Sequence, residues 1–117
     1  MKIFAKIIIL ICITLIINIE KLPAEEKIKI GLLVPLTGQH SEIGKSIIKS
    51  VRLAINKIDS SLLEIIPKDT ASNPNITLKK ARELYNEGVK IIIGPVFNKN
   101  LIYLDELKDV IFLSLTN

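Results

Sequence analysis

Apolar positions recur along this chain in two rhythms. Lys27 to Pro35 (KIKIGLLVP) is a β-branched and apolar run that ends on proline, which predicts a buried strand. From Ser41 to Ser60 the apolar residues return at Ile43, Ile47, Val51, Ala54, Ile55 and Ile58. Steps of three and four place them on one helical face, with Lys45, Lys49, Arg52, Asn56 and Asp59 mostly on the other. Leu62 to Pro67 (LLEIIP) predicts a second strand. Asn73-Pro74 then opens a second helix, since asparagine caps well and proline suits the first helical position. Leu78, Ala81, Leu84 and Tyr85 form its buried face, and Gly88 closes it. Val89 to Gly94 predicts a third strand, Leu101, Leu104 and Leu107 a third helix, and Val110 to Leu115 (VIFLSL) a fourth strand. Strands alternating with helices imply right-handed βαβ units. The expected fold class is therefore α/β, an open parallel sheet of about four strands with helices on both faces. There is no internal repeat, low-complexity segment or long linker.

The first 24 residues stand outside this alternation. Met1 to Lys6 carries two lysines, Ile7 to Ile17 (IIILICITLII) is apolar apart from one threonine, and Pro23-Ala24 precedes a polar stretch. A basic start, a short apolar middle and a small residue predict an export signal over residues 1–24, with an uncleaved anchor as the alternative. The apolar run is short of the ~20 residues that span a bilayer. Cys12 is the single cysteine; Ile11 before it and its place inside the run argue against lipid attachment. Cleavage at Ala24 would leave a chain with no disulfide and no thiol chemistry.

The net charge is +4 at pH 7. Lys2, Lys6 and Lys21 supply part of that excess from the leader, and the remaining charges are interspersed. No basic patch with interleaved aromatic residues occurs, which argues against a nucleic-acid partner. A domain of the remaining length buries a core with little margin.

In an open parallel sheet each strand-to-helix turn lies at the C-terminal edge of the strands, where ligands bind. Pro35-Leu36-Thr37-Gly38 and Gly94-Pro95 are such turns, and both are expected to lead into a helix N-terminus. Free N–H groups and the helix dipole favour a carboxylate or another small anion there. Glycine and proline also end strands in α/β folds that bind nothing.

Catalytic chemistry is absent from the pattern. His40, the single histidine, reads as a solvated loop residue, and Ser41 beside it forms no dyad. Zinc lacks ligands, and no nucleophile elbow, Walker loop or dinucleotide fingerprint is present. Glu64 and Asp69 could be read as paired carboxylates, but Asp69 with Thr70 and Ser72 is better read as anchoring a turn. Asn75-Ile76-Thr77 matches a glycosylation sequon at a helix start and carries little weight. The expectation is a protein that is not an enzyme and takes no cofactor and no metal.

The motifs resemble a known family. "KIGLLVPLTGQHSEIGKSIIKSVRLAINKI", from Lys29 to Ile58, looks like the opening of the type I periplasmic binding proteins, of which the leucine/isoleucine/valine-binding group is one branch. A strand, a P-L-T-G turn and a glycine six residues later (Gly38 to Gly44) follow the family's order. "PKDTASNPNITLKKARELYNEGVKIIIGP", Pro67 to Pro95, and the closing "VIFLSLTN" are similar throughout. The resemblance implies a two-lobed receptor closing over an amino acid or similar small molecule, with an ABC transporter permease as partner. It places ligand contacts in the loops after the third and fourth strands, hence at Asn98, Thr116 and Asn117, with Thr37 in the turn after the first strand. Helix capping is the competing role for Asn98, Thr116 and Asn117. Ile43 falls near a place where some members offer an aromatic residue. The penicillin-binding-protein activators form a related branch: "IIIGPVFNKN" and "FLSLTN" look like their pattern, and they touch a cell-wall synthase rather than carry a ligand.

Proteins of this kind are considerably longer. Residues 25–117 are therefore expected to form an incomplete first lobe in the periplasm, from a truncated or split gene, or a non-functional remnant. Made alone, such a lobe is expected to bind small ligands weakly or not at all, because half a cleft cannot bury a ligand. It is also expected to leave a sheet edge and helix faces open to pairing.

Overall fold

The structure is a computed structural model that describes residues 1–17, 25–58 and 60–116. Helix α1 spans Lys2–Ile17, and its side chains from Lys2 to Thr14 are exposed. The expected cleavage position at Ala24 lies outside the described residues. No helix among the described residues is long and apolar enough to cross a membrane.

Four strands follow: β1 (Ile28–Val34), β2 (Leu63–Asp69), β3 (Ile91–Ile93) and β4 (Ile111–Leu113). They form one parallel sheet in the order β2-β1-β3-β4. β1 pairs with β2 from Ile28↔Leu63 to Val34↔Asp69, and with β3 from Ile30↔Ile91 to Leu32↔Ile93. The chain leaves β1 toward β2 and returns to the other side of β1 for β3. The strand order therefore reverses between β1 and β3, which is where parallel sheets open a crevice at their C-terminal edge. β3 and β4 are shorter than the runs Val89 to Gly94 and Val110 to Leu115. Their pairing nonetheless continues past the strand ends, as Gly94 N–H donates to Leu113 O at 2.9 Å and Leu115 N–H to Pro95 O at 3.1 Å.

Helix α2 (Ser41–Ile58) lies over β1 and β2 on one face, and α3 (Pro74–Asn86) covers the other. α3 begins where the sequence places it: Asn73 Oδ1 accepts from the N–H groups of Asn75 and Ile76 at 2.9 and 3.2 Å, with Pro74 behind it. Gly88 follows with φ of +84°. The main core lies on this face and contains Leu33, Ala81, Leu84, Val89, Ile92, Leu104 and Val110. Leu32 and Val34 alternate to the α2 face and are fully buried there.

The third helix expected from Leu101, Leu104 and Leu107 is not an α-helix. The segment forms two 3₁₀ turns, Asn98–Leu101 and Leu104–Glu106. A strict spacing of three explains the difference, because side chains at i and i+3 eclipse in a 3₁₀ turn but drift around an α-helix. Leu104 is buried, and Leu101 and Leu107 pack against the core from this geometry.

The apolar face of α2 is only partly used. Gly44 is its one buried residue, while Ile43 and Ile58 remain 43% and 65% exposed. Gly44 is where the helix meets the end of β1: a Cβ there would lie 1.8 Å from Pro35 O. The β3–β4 half of the same sheet face has no helix above it among the described residues, so the apolar flank of α2 overhangs an open groove of about 590 Å³.

A candidate ligand rim at the C-terminal sheet edge

Parallel strands deliver residues 35–40, 70–73, 94–97 and 114–116 to one rim. Asp69, at the end of β2, organises it. Its Oδ1 accepts from Leu36 N–H at 2.7 Å and from Ala71 N–H at 2.8 Å, and its Oδ2 accepts from the Thr37 hydroxyl at 2.7 Å. Partial burial alone would push the Asp69 carboxyl up. The bonds from Leu36, Thr37 and Ala71 outweigh it and hold the group below the usual carboxylate range. Asp69 thus anchors its own turn, as the sequence implies, and also ties the β2 loop to the β1 loop. The Thr70 hydroxyl accepts from Ser72 N–H at 3.3 Å, which supports the left-handed pair Ala71 and Ser72 at φ of 47° and 55°.

This geometry changes the reading of the first turn. A small anion was expected at the loop leading into α2, and the chain supplies one itself in Asp69. Thr37 is exposed at the rim with its hydroxyl donated to that carboxylate. Glu64 lies near the opposite end of β2, beside Lys29, so it and Asp69 form no pair.

Across the reversal point, Gly94 carries φ of +110° and passes so close to β1 that a Cβ would lie 2.3 Å from Leu33 O. A cis peptide joins it to Pro95. Phe97 then meets His40 with ring centroids 4.7 Å apart and planes tilted by 54°. His40 is therefore a packing partner that closes the β1 loop onto the β3 loop. Neither its type nor its spacing marks that contact in the sequence. Asn98 is exposed and opens the first 3₁₀ turn. It does not cap it: Phe97 holds the cap position, without a side-chain bond. Thr116 is half-buried, and its N–H donates to Ser114 Oγ at 3.2 Å. Asn117 lies outside the described residues. The fold thus brings Thr37, Asn98 and Thr116 to one edge, with the His40–Phe97 pair linking the loops of the first two.

A hollow of about 700 Å³ lies elsewhere among the described residues. It sits at the N-terminal edge, among Glu26, Lys27, Glu64, Glu87 and Lys90. Its charges of both signs lie side by side, and Lys29 Nζ donates to Glu87 O at 3.0 Å. It lacks the His40–Phe97 pair that joins the loops of the opposite rim, which makes the C-terminal rim the better site. No cluster of His, Cys, Asp and Glu suited to a metal occurs among the described residues.

Comparison with known proteins agrees with this geometry. The model of the periplasmic binding protein family matches residues 27–107. A solute-binding protein of an ABC transporter from Rhodopseudomonas palustris, solved with 3,4-dihydroxybenzoic acid, is 32% identical with a TM-score of 0.65; the match covers 69% of this chain and 24% of that one. The branched-chain amino-acid binding protein LivJ of Streptococcus pneumoniae, solved with isoleucine, is 22% identical with a TM-score of 0.67, over 76% of this chain and 28% of that one. The C-domain of LpoA from Haemophilus influenzae, a regulator of PBP1A, is 23% identical with a TM-score of 0.62, over 74% of this chain and 27% of that one. The chain spans about a quarter of the length of these relatives. It belongs to the periplasmic binding protein family and carries the type I fold of that family's first lobe.

Proposed function

We propose that the chain acts as the first lobe of an extracytoplasmic solute-binding protein, recognising a small carboxylate-bearing molecule for ABC-type uptake. Residues 1–24 serve as its export signal, and the lobe works in the periplasm. The observation that supports this best is the convergence of the β1, β2 and β3 loops at the reversal point, held by Asp69 and by His40 against Phe97. Thr37, Asn98, Thr116 and Asn117 are the proposed contacts. An amino acid and a hydroxybenzoate, bound by the LivJ and Rhodopseudomonas proteins, share a carboxylate on an apolar body. The aromatic ring of Phe97 suits the apolar body, and the exposed side-chain amide of Asn98 can donate to the carboxylate.

The test is a thermal-shift titration with isoleucine, leucine, 4-hydroxybenzoate and 3,4-dihydroxybenzoate. A ligand at ten times its Kd adds about 1.4 kcal/mol, which raises Tm by roughly 6–11 °C in a domain of this size. The shift should be lost in a Thr37→Ala/Asn98→Ala variant. Because half a cleft binds weakly, the shift is expected only at millimolar ligand, and a flat response up to about 10 mM of every ligand would count against the uptake reading.

A second reading is a module that activates a cell-wall synthase, favoured by the Gly94-Pro95 turn and the closing FLSLTN. Co-purification with a penicillin-binding protein, in the absence of any ligand response, would select it.

A further inference from the structure

The hydrogen of the Thr37 hydroxyl has a fixed place. Thr37 Oγ1 lies 2.7 Å from Asp69 Oδ2. An ionised carboxylate only accepts, and a threonine hydroxyl has a single hydrogen, so that hydrogen lies on the bond to Asp69. The carboxylate is charged at neutral pH, because the bonds it accepts outweigh its partial burial. What remains on Thr37 Oγ1 is lone pairs. Thr37 is exposed, so those lone pairs can meet a molecule at the rim. Main-chain N–H groups beside it are spent within the protein. Those of Leu36 and Ala71 donate to Asp69 Oδ1, that of Ser41 to Gly38 O, and that of Ile43 to His40 O. Asn98, in the loop after β3, has an exposed side-chain amide with two hydrogens to give. The rim thus accepts at Thr37 and donates at Asn98.

We infer that Thr37, oriented by Asp69, is an acceptor-only contact, so that the rim selects carboxylates that also carry a hydrogen-bond donor. The inference rests on the uptake reading above and narrows it. An ammonium group and a phenolic hydroxyl both qualify as the donor. A plain carboxylic acid or an ether does not, and a site that leaves its own polar group unmet rejects such a molecule. Asp69 is a positioning residue here. It acts through the Thr37 hydrogen, and its charge adds attraction for an ammonium group and repels a second carboxylate.

Amide chemical-shift titration of the full chain measures the preference. Three ligands share a ring, a carboxylate and a charge. 4-Hydroxybenzoate carries a donor, 4-methoxybenzoate has the same oxygen without its hydrogen, and benzoate has neither. The parent should bind 4-hydroxybenzoate about fivefold more tightly than either of the others, the worth of one neutral hydrogen bond. Asp69→Asn tests the cause. The amide oxygen keeps the bonds from Leu36 and Ala71, while the amide nitrogen donates to Thr37 Oγ1 and frees the Thr37 hydrogen for the ligand. Thr37 can then donate to the ether oxygen, and the preference for 4-hydroxybenzoate over 4-methoxybenzoate should fall below about twofold. The bulk of the methyl group is the same for both proteins, so the change in the ratio isolates the hydrogen. Thr37→Val keeps the side-chain shape without the hydroxyl. It should bring 4-hydroxybenzoate and benzoate within about twofold of each other, and it keeps the test valid if Asp69→Asn unfolds. Equal binding of 4-hydroxybenzoate and 4-methoxybenzoate by the parent would overturn the inference and leave the uptake reading standing. So would a preference for 4-hydroxybenzoate over benzoate that survives unchanged in Thr37→Val. No response to any of the three, nor to isoleucine, would remove the uptake reading and the inference with it.

Discussion

Replacing Asp69 tests how the rim is held together. In Asp69→Ala the Leu36 and Ala71 N–H groups, both part-buried, lose their acceptor, and the Thr37 hydroxyl, which is exposed, turns to water. A fully buried donor left unmet costs about 1–3 kcal/mol. Two part-buried donors therefore give a loss of about 2–4 kcal/mol, a large share of a typical stability of about 5–15 kcal/mol. Asp69→Asn is far milder. Both main-chain donors use Oδ1, which the amide oxygen replaces, and the amide nitrogen can donate to the Thr37 hydroxyl in place of Oδ2. The loss should stay below about 1.5 kcal/mol, the difference between a charged and a neutral acceptor. The pH dependence follows from the lowered Asp69 carboxyl. Its stabilisation is fully present above the unfolded value of about 3.9 and is lost as pH falls through the lower folded value. Asp69→Asn should flatten that part of the acid limb, leaving the share of Glu83, which Lys80 holds low by a side-chain bond. Urea unfolding followed by circular dichroism from about pH 2 to 7 measures both effects. A loss under about 0.5 kcal/mol in Asp69→Ala would refute the reasoning. So would equal losses in the two variants, or an acid limb in Asp69→Asn as steep as in the parent.

Three glycines and one asparagine give further expectations. Gly44→Ala drives a Cβ to 1.8 Å from Pro35 O, and Gly94→Ala drives one to 2.3 Å from Leu33 O at φ of +110°. Each should lose about 1–3 kcal/mol or more in the same urea assay, whereas Gly38→Ala, with nothing within 4 Å, meets only its φ of +79° and should lose less. Asn100 is 1% exposed, and neither polar atom of its side chain has a partner in the protein. Asn100→Leu should therefore raise stability by about 1–2 kcal/mol, read as a higher urea midpoint at unchanged slope.

Much of the fold could be read from the sequence, since strands and helices are set by local rhythm. KIKIGLLVP reads as a strand because its apolar residues run together into Leu32-Leu33-Val34 and stop at a proline, and Asn73-Pro74 reads as a helix start because its capping chemistry is local. What failed is what depends on distant neighbours. The leucines at 101, 104 and 107 repeat every three residues, a period that fits 3₁₀ turns, and the broader expectation of a crossover helix overrode it. Ile43 belongs to an amphipathic stripe, yet its burial depends on what covers β3 and β4. At the rim, the anchoring of a turn by Asp69 was legible. Its reach to Leu36 and Thr37 was not, because 32 or 33 residues of chain separate the partners. The His40–Phe97 contact was hidden for the same reason.

The central claim is that the C-terminal rim of the parallel sheet meets a small carboxylate. Amide chemical-shift mapping during titration with isoleucine and 4-hydroxybenzoate tests it most directly. The account predicts that the largest changes cluster at Thr37, Phe97, Asn98 and Thr116. Changes centred instead on Lys27, Lys29, Glu87 and Lys90, at the opposite edge, would contradict it.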